Sequence, residues 1–155
     1  MSFHIIEDTR QKIGKHSIKN EYWQRQGHSV IRCQLPFGDY VRMPSIAVDT
    51  KADIHEIAQN LLHDHARFRD ECIGAYQCRC QLVILIENVE GVMSLTDLSR
   101  WKESTQHFNE RHGKQRFVGS RLVKIMNTMT ERYGVRWEFC TPNEAGRRVI
   151  EILDE

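Results

Sequence analysis

The residues of this chain best suited to chemistry lie in two short motifs, Gly38-Asp39-Tyr40 and Val48-Asp49-Thr50-Lys51. In an extended segment successive side chains alternate, so Asp49 and Lys51 share one face while Thr50 turns away. A hairpin joining the motifs would bring Asp39, at its opening, toward Asp49, near its end. Two carboxylates and a nearby backbone carbonyl, with Thr50 counted in the metal-holding set, suit Mg²⁺ or Mn²⁺, which take oxygen ligands and keep waters. A lysine beside two acids is useful where a metal-bound water is positioned and negative charge on a phosphate is stabilised. The expectation is a hydrolytic phosphodiesterase site. An Asp-x-Lys tripeptide alone carries little, because charges alternate along any solvated strand, and Asp39 alone reads as a turn acid. The weight comes from the elements that must bring these residues together.

The sequence predicts a first strand over 3–7 ending at Asp8. Ser17 is expected to cap a helix over 18–26 that Gly27 stops. A strand over 29–35 and a turn at Pro36-Phe37-Gly38-Asp39 follow. Residues 40–43 and 46–50 read as an antiparallel hairpin around Pro44-Ser45. Asp53 is a plausible N-cap, and the apolar stripe from Ile54 through Leu61, Leu62 and Phe68 to Ala75 predicts one helix. The branched apolar run over 81–87 fits a central strand covered on both faces. After a loop over 88–93, Ser94 and Asp97 resemble a capping box opening a helix toward His107. The basic stretch 111–116 is expected to loop out. A helix over 120–133 closed by Gly134, a strand over 135–140 and a last helix introduced by Thr141-Pro142-Asn143-Glu144 complete the chain. This order predicts a three-layer α/β/α fold, a mixed central sheet with helices on both faces.

These motifs resemble the PD-(D/E)XK nuclease superfamily, and more narrowly the nuclease domain of XPF/Hef structure-specific endonucleases. The resemblance rests on Asp8-Thr9-Arg10, Gly38-Asp39-Tyr40, Val48-Asp49-Thr50-Lys51, Arg67-Phe68-Arg69-Asp70-Glu71 and Leu85-Ile86-Glu87, in that order. It covers residues 3–87 and, more loosely, 119–153. It implies a restriction-endonuclease-like fold, with Asp39 and Asp49 as metal ligands and Lys51 assisting the water. It further implies Asp8 as another ligand, direct or through water, Arg10 approaching the phosphate, Glu71 supporting the site and Arg67 orienting acids or backbone. Asp49 stands where the narrow family has Glu, Gln11 follows Arg10 where it has Glu, and nothing resembles its tandem helix-hairpin-helix domain.

A basic region holding Arg111, Lys114, Arg116, Arg121 and Lys124 could track phosphates together with Arg10, or could be a solvated connection between helices. Asp8 with Arg10 could equally be an ion pair at a strand end, and Glu71 a surface acid. His63 and His65 with Cys72, Cys78 and Cys80 raise zinc, but two residues apart on a helix the imidazoles point about 200° apart, and the thiol spacing is not that of a zinc knuckle. Reduced structural thiols fit better.

Composition narrows the classes. At 155 residues the chain is about one domain on a prior of ~150 residues each, so 1–155 is expected to be a single nuclease domain. Apolar residues at 40% and charged at 28% fit a soluble globular chain. Its 22 Lys+Arg against 21 Asp+Glu exclude a globally basic, histone-like binder but not a nuclease with acids in its site and bases around it. No apolar run approaches the ~18 residues of a membrane span. The first ten residues carry acid and lack the apolar core of an export signal, so a cytoplasmic protein of a bacterial or phage-infected cell is expected. The sequence-level expectation is a Mg²⁺- or Mn²⁺-dependent DNA endonuclease, structure-specific or resolvase-like, acting on branched or flapped DNA, with a homodimer plausible and no membrane partner. The alternative is a catalytically silent DNA-binding or scaffolding module with the same fold.

Overall fold

The computed structural model of the chain describes residues 4–42 and 46–155. In chain order its elements are β1 (His4–Asp8), α1 (Ser17–Arg25), β2 (Ser29–Cys33), β3 (Tyr40–Arg42), β4 (Ile46–Lys51), α2 (Ile54–Leu62), α3 (His65–Gln77), β5 (Gln81–Glu87), α4 (Leu95–Ser99), α5 (Thr105–Glu110), α6 (Gly119–Tyr133), β6 (Arg136–Cys140) and α7 (Ala145–Leu153). The six strands form one sheet in the order β2-β1-β3-β4-β5-β6. β3 runs antiparallel to both β1 and β4, whereas β1–β2, β4–β5 and β5–β6 are parallel.

β5 shows why the sheet is buried on both sides. Leu82, Ile84 and Ile86 face a core built with α2, α3, α4 and α6, while Val83 and Leu85 face a second core built with α1 and α7. None of the five is more than 2% exposed, and each such burial contributes roughly 1.5–3 kcal/mol. On the second face Trp23 of α1 donates its Nε1–H to the Gly146 carbonyl at 2.8 Å, tying α1 to α7. The predicted three-layer arrangement is the one observed. No helix among the described residues is long and apolar enough to cross a membrane.

Local signals hold where a side chain closes the backbone. Asp53 accepts from the Glu56 amide at 2.8 Å and Ser94 from the Asp97 amide at 3.0 Å, each starting a helix. Gly134 ends α6 with φ +67°. Glu144 reaches back to the Thr141 amide at 3.0 Å, although α7 begins only at Ala145. Ser17 does not cap α1; it is the first helical residue, and His16 precedes it without a side-chain cap bond.

Two predicted helices are each broken in two. The stripe over 54–75 has no large apolar anchor between Leu62 and Phe68, and α2 ends at His63 before α3 restarts after Asp64. The helix expected from Ser94 toward His107 ends at Ser99, and Ser104 caps a new one by accepting from the His107 amide at 3.1 Å. Between them Lys102 bridges Val118. The stretch over 111–116 does not simply loop out, because Arg111 folds back onto the buried Glu103 with two 2.7 Å bonds. Gly119 opens α6 against α4 so closely that a Cβ there would meet the Leu98 carbonyl oxygen at 1.6 Å. The expected strand positions Phe3 and Met43, and the Pro44-Ser45 connection, lie outside the described residues.

Candidate active site

The sheet register brings the chemistry to one edge. β1, β4 and β5 all run toward that edge, so Asp8, Lys51 and Glu87 end their strands there, while Asp39 stands just before the oppositely directed β3. Carboxyl ends of strands are where open α/β sheets bind ligands. A cleft of about 530 Å³ opens at this edge between α1 and the α2–α3 pair.

Gly38 makes the approach possible. Its φ is +71°, and a Cβ would sit 3.3 Å from the Val48 carbonyl oxygen and 3.4 Å from the Ala47 Cβ, so glycine serves both conformation and contact. Its amide donates to Glu71 Oε1 at 2.9 Å, fastening the turn to α3. The Asp39 amide then donates to the Val48 carbonyl at 3.0 Å. Asp39 Oδ2 accepts from the Thr50 amide at 2.8 Å and hydroxyl at 2.9 Å, and Oδ1 accepts from Gln11 Nε2 at 2.5 Å. Asp49 and Lys51 share the α2–α3 face of β4, with Lys51 Nζ 3.1 Å from Asp49 Oδ2 and 5.4 Å from the Phe68 ring centroid.

The electrostatics follow from this crowding. Burial pushes the Asp39 carboxyl well above the ordinary range, and the adjacent Asp49 pushes further, by its charge and a shared hydrogen bond; the Thr50 amide and Lys51 offset only part. Glu71 is raised by burial and by Asp49. Burial would lower Lys51, but Asp49, Asp39 and Glu56 outweigh it and hold the ammonium charged. His16 is lowered to about 4 by burial and the neighbouring Lys19 and Lys15. Burial pushes the Cys72 thiol, in the core beneath the cleft, up to about 12, with Glu71 and Asp49 adding to it.

Two carboxylates this close repel each other unless positive charge lies beside them. A divalent cation would supply that charge, and in this sense the donor set of Asp39 and Asp49 fits Mg²⁺ or Mn²⁺. Among the described residues no three His, Cys, Asp or Glu side chains form a closed ligand set. An oxygen-bound ion here would therefore complete its shell with water, as Mg²⁺ does.

The other sequence-predicted residues are distributed unevenly. Asp8 lines the cleft, but its carboxylate is gripped by Arg10, whose Nε lies 2.6 Å from Oδ2 and whose Nη2 also pairs with it. Arg10 bonds the Leu35 carbonyl as well, at 2.9 Å. Arg67 is exposed at the cleft wall. Arg111 is withdrawn from solution: Glu103 neutralises it and its guanidinium lies 3.8 Å from the Phe117 ring centroid. Lys114, Arg116, Arg121 and Lys124 are exposed, with Arg116 bonded to the Thr105 hydroxyl at 3.0 Å. Cys72 and Cys80 are buried in the core under α3 while Cys78 is exposed, so the thiols do not gather around His63 and His65.

Sequence reasoning misses the wall formed by α1 and the segment leading into it, where Gln11, Lys15, His16 and, on α1, Lys19 line the cleft. Lys19 forms a buried ion pair with Glu87 at 2.8 Å. Gln11 joins Asp39 to His16, which bonds its side-chain oxygen. The available signals were Gln11 directly following Arg10 and the three- and four-residue spacing of Lys15, His16 and Lys19.

No family model matches the chain, and no curated protein matches it. Among solved structures, XPF from Aeropyrum pernix superposes with a TM-score of 0.67 at 19% identity, covering 97% of this chain. The fold is XPF-like. The same protein solved in complex with DNA gives 0.66 at 19% identity over 97% of this chain. The chain spans 63% of the length of these XPF chains. At this identity the likeness concerns the path of the backbone.

Proposed function

We propose that this chain is a divalent-metal-dependent DNA endonuclease. The observation that carries the reading is the convergence of Asp39 and Asp49 at the sheet edge with the Lys51 ammonium 3.1 Å from Asp49. Asp39 and Asp49 would hold Mg²⁺ or Mn²⁺, with Glu71 behind them and Thr50 orienting Asp39. The ion supplies a water of lowered pKa and neutralises phosphate charge. Lys51, kept protonated by the acids around it, donates hydrogen bonds to a phosphate oxygen or to the attacking water and stabilises charge that builds in the transition state. It is not the base. Asp8 holds Arg10 at the mouth of the cleft, where the guanidinium meets the phosphodiester, and Arg67 provides a second cation on the opposite wall. DNA as the substrate is supported by the neighbour solved with DNA and by the exposed Lys114, Arg116, Arg121 and Lys124. A structure-specific or resolvase-like preference for branched or flapped DNA, and a homodimeric state, belong to the same proposal.

The test is a panel of labelled duplex, flap, fork and four-way DNA incubated with Mg²⁺, Mn²⁺ or EDTA. Cleavage with either ion, none in EDTA, and loss of cleavage in Asp49→Asn and Lys51→Ala are expected. Undiminished cutting by Asp49→Asn overturns the mechanism. Retention of DNA without cutting under every condition replaces it with a silent binding module.

A further inference from the structure

A second hollow, of about 300 Å³, lies between the α2–α3 corner and α6. Arg121, Ile125, Thr128 and Arg132 recur at four-, three- and four-residue steps, which places them on one stripe of α6. His65 and Arg69, four apart on α3, line the facing wall, and Met129 and Tyr133 contribute to an apolar floor. No carboxylate lines this groove. Arg69, Arg121 and Arg132 have no ion pair and no side-chain hydrogen bond among the described residues, and the His65 Nδ1 is buried without a partner. Other arginines are matched to acids, among them Arg111 to Glu103, Arg136 to Glu155 and Arg148 to Glu138, while Arg67, Arg79 and Arg100 share the unpaired state among the described residues.

The groove adjoins the cleft. Arg67 lines the cleft and Arg69 lines the groove, on two sides of α3, as the roughly 200° between residues two apart on a helix requires. α3 is thus the ridge between the hollows, with a cation on each slope. A helix with its side chains is about 10–12 Å across, which a DNA strand crosses in about three nucleotides at 3.4 Å each. Arg121 and Arg132, eleven residues apart, are separated by roughly 16 Å along α6 at 1.5 Å per residue, a span of about five phosphates.

We propose that this groove binds the sugar–phosphate backbone of DNA about three nucleotides beyond the cleft, with Arg69, Arg121 and Arg132 on the phosphates; the inference rests on the nuclease reading only for taking DNA as the substrate. A single-sign, acid-free track suits a polyanion of regular charge spacing. The apolar floor receives the deoxyribose. A second copy docking this face symmetrically would set the same arginines against each other.

The test measures binding by fluorescence anisotropy in EDTA, on labelled duplexes from 6 to 30 base pairs, for the whole chain and for Arg69→Ala/Arg121→Ala/Arg132→Ala. Wild-type affinity is expected to step up once the duplex is long enough to pass α3. The triple variant should lack that step and bind the longest duplex at least tenfold more weakly. Its slope of log K against log salt should be shallower by about 2–3, at about 0.9 for each phosphate no longer neutralised. The corresponding triple Arg→Lys variant should restore the slope, and Arg25→Ala, on the far helix α1, should leave the length step in place. Equal affinity, slope and length dependence in wild type and triple variant overturn the inference. So does polyglutamate displacing the long duplex at matched charge, which assigns the groove to an acidic peptide, or a fall in oligomeric mass in the triple variant, which assigns it to a second copy. Because binding is read in EDTA, a chain that never cuts DNA can pass this test and one that cuts can fail it.

Discussion

The cleft and the groove lie back to back across α3, and they hold their charges in opposite ways. In the cleft the buried charges at the sheet edge are committed: Asp39 to Thr50 and Gln11, Asp8 to Arg10, Lys19 to Glu87, Lys51 to Asp49. The groove holds cations that have no partner among the described residues. Committed charges in a desolvated site are preorganised for a reaction, because little has to move when charge develops. Uncommitted charges at a solvated wall are suited to a sliding polyanion, which needs only counterions to leave. Under the proposed function the first hollow does chemistry and the second holds the strand.

Five measurements break or sharpen that contrast. The largest effect is expected in the cleft: Asp49→Asn should lower the cleavage rate by about 10³-fold or more, the upper range for losing one preorganised electrostatic group. Mg²⁺ should raise the melting temperature of the wild type and of the groove variants but not of Asp49→Asn. A Mg²⁺-dependent shift in that variant would separate metal binding from the Asp39–Asp49 pair. Next, Lys19→Met strands the Glu87 carboxylate, which is only 7% exposed, and should cost about 3 kcal/mol in urea unfolding, the scale of a broken buried pair. A loss under 1 kcal/mol would mean that the α1 wall is not rigid.

The third effect concerns acid. His16 is lowered to about 4 in the folded chain, so between its unfolded value of about 6.5 and 4 the unfolded chain binds the extra proton. Stability is therefore full above pH ~6.5 and declines as pH falls toward 4, by about 1 kcal/mol once screening at this half-buried ring is allowed for. His16→Gln should flatten that part of the pH profile of urea midpoints; an unchanged profile removes His16 from the account. The smallest effect belongs to the groove, where Arg69→Ala and Arg121→Ala should each change stability by less than about 0.5 kcal/mol. A larger loss would show that these arginines hold the fold together and are not free for a ligand.

Much of the cleft was legible because its geometry is local. The period-two rule placed Asp49 and Lys51 on one face, and the Gly38 turn with a short hairpin brought Asp39 beside them. The sheet order could be anticipated only in outline, since the β1–β3 pairing joins segments separated by a helix and another strand. The α1 wall was missed because Lys19 acquires its role from Glu87, sixty-eight positions later, which no local spacing reveals. The Arg111–Glu103 pair is hidden for a related reason: Glu103 lies between α4 and α5, and a single continuous stripe does not show that these are separate helices. The broken 54–75 helix carried a readable sign, the unanchored stretch between Leu62 and Phe68. Arg67 and Arg69 stand on different slopes for a simpler reason, being two residues apart on the one helix α3.

Gly119 has a consequence for how far this molecule can be altered. The hydrogen in place of a side chain lets α6, which carries Arg121 and Arg132, start flush against the Leu98 carbonyl. Saturation mutagenesis should find this one position closed to every other amino acid while the arginines nearby tolerate many. Exchanging exposed cations on α6 therefore leaves the scaffold in place, whereas a single methyl group at position 119 forces α6 away from α4.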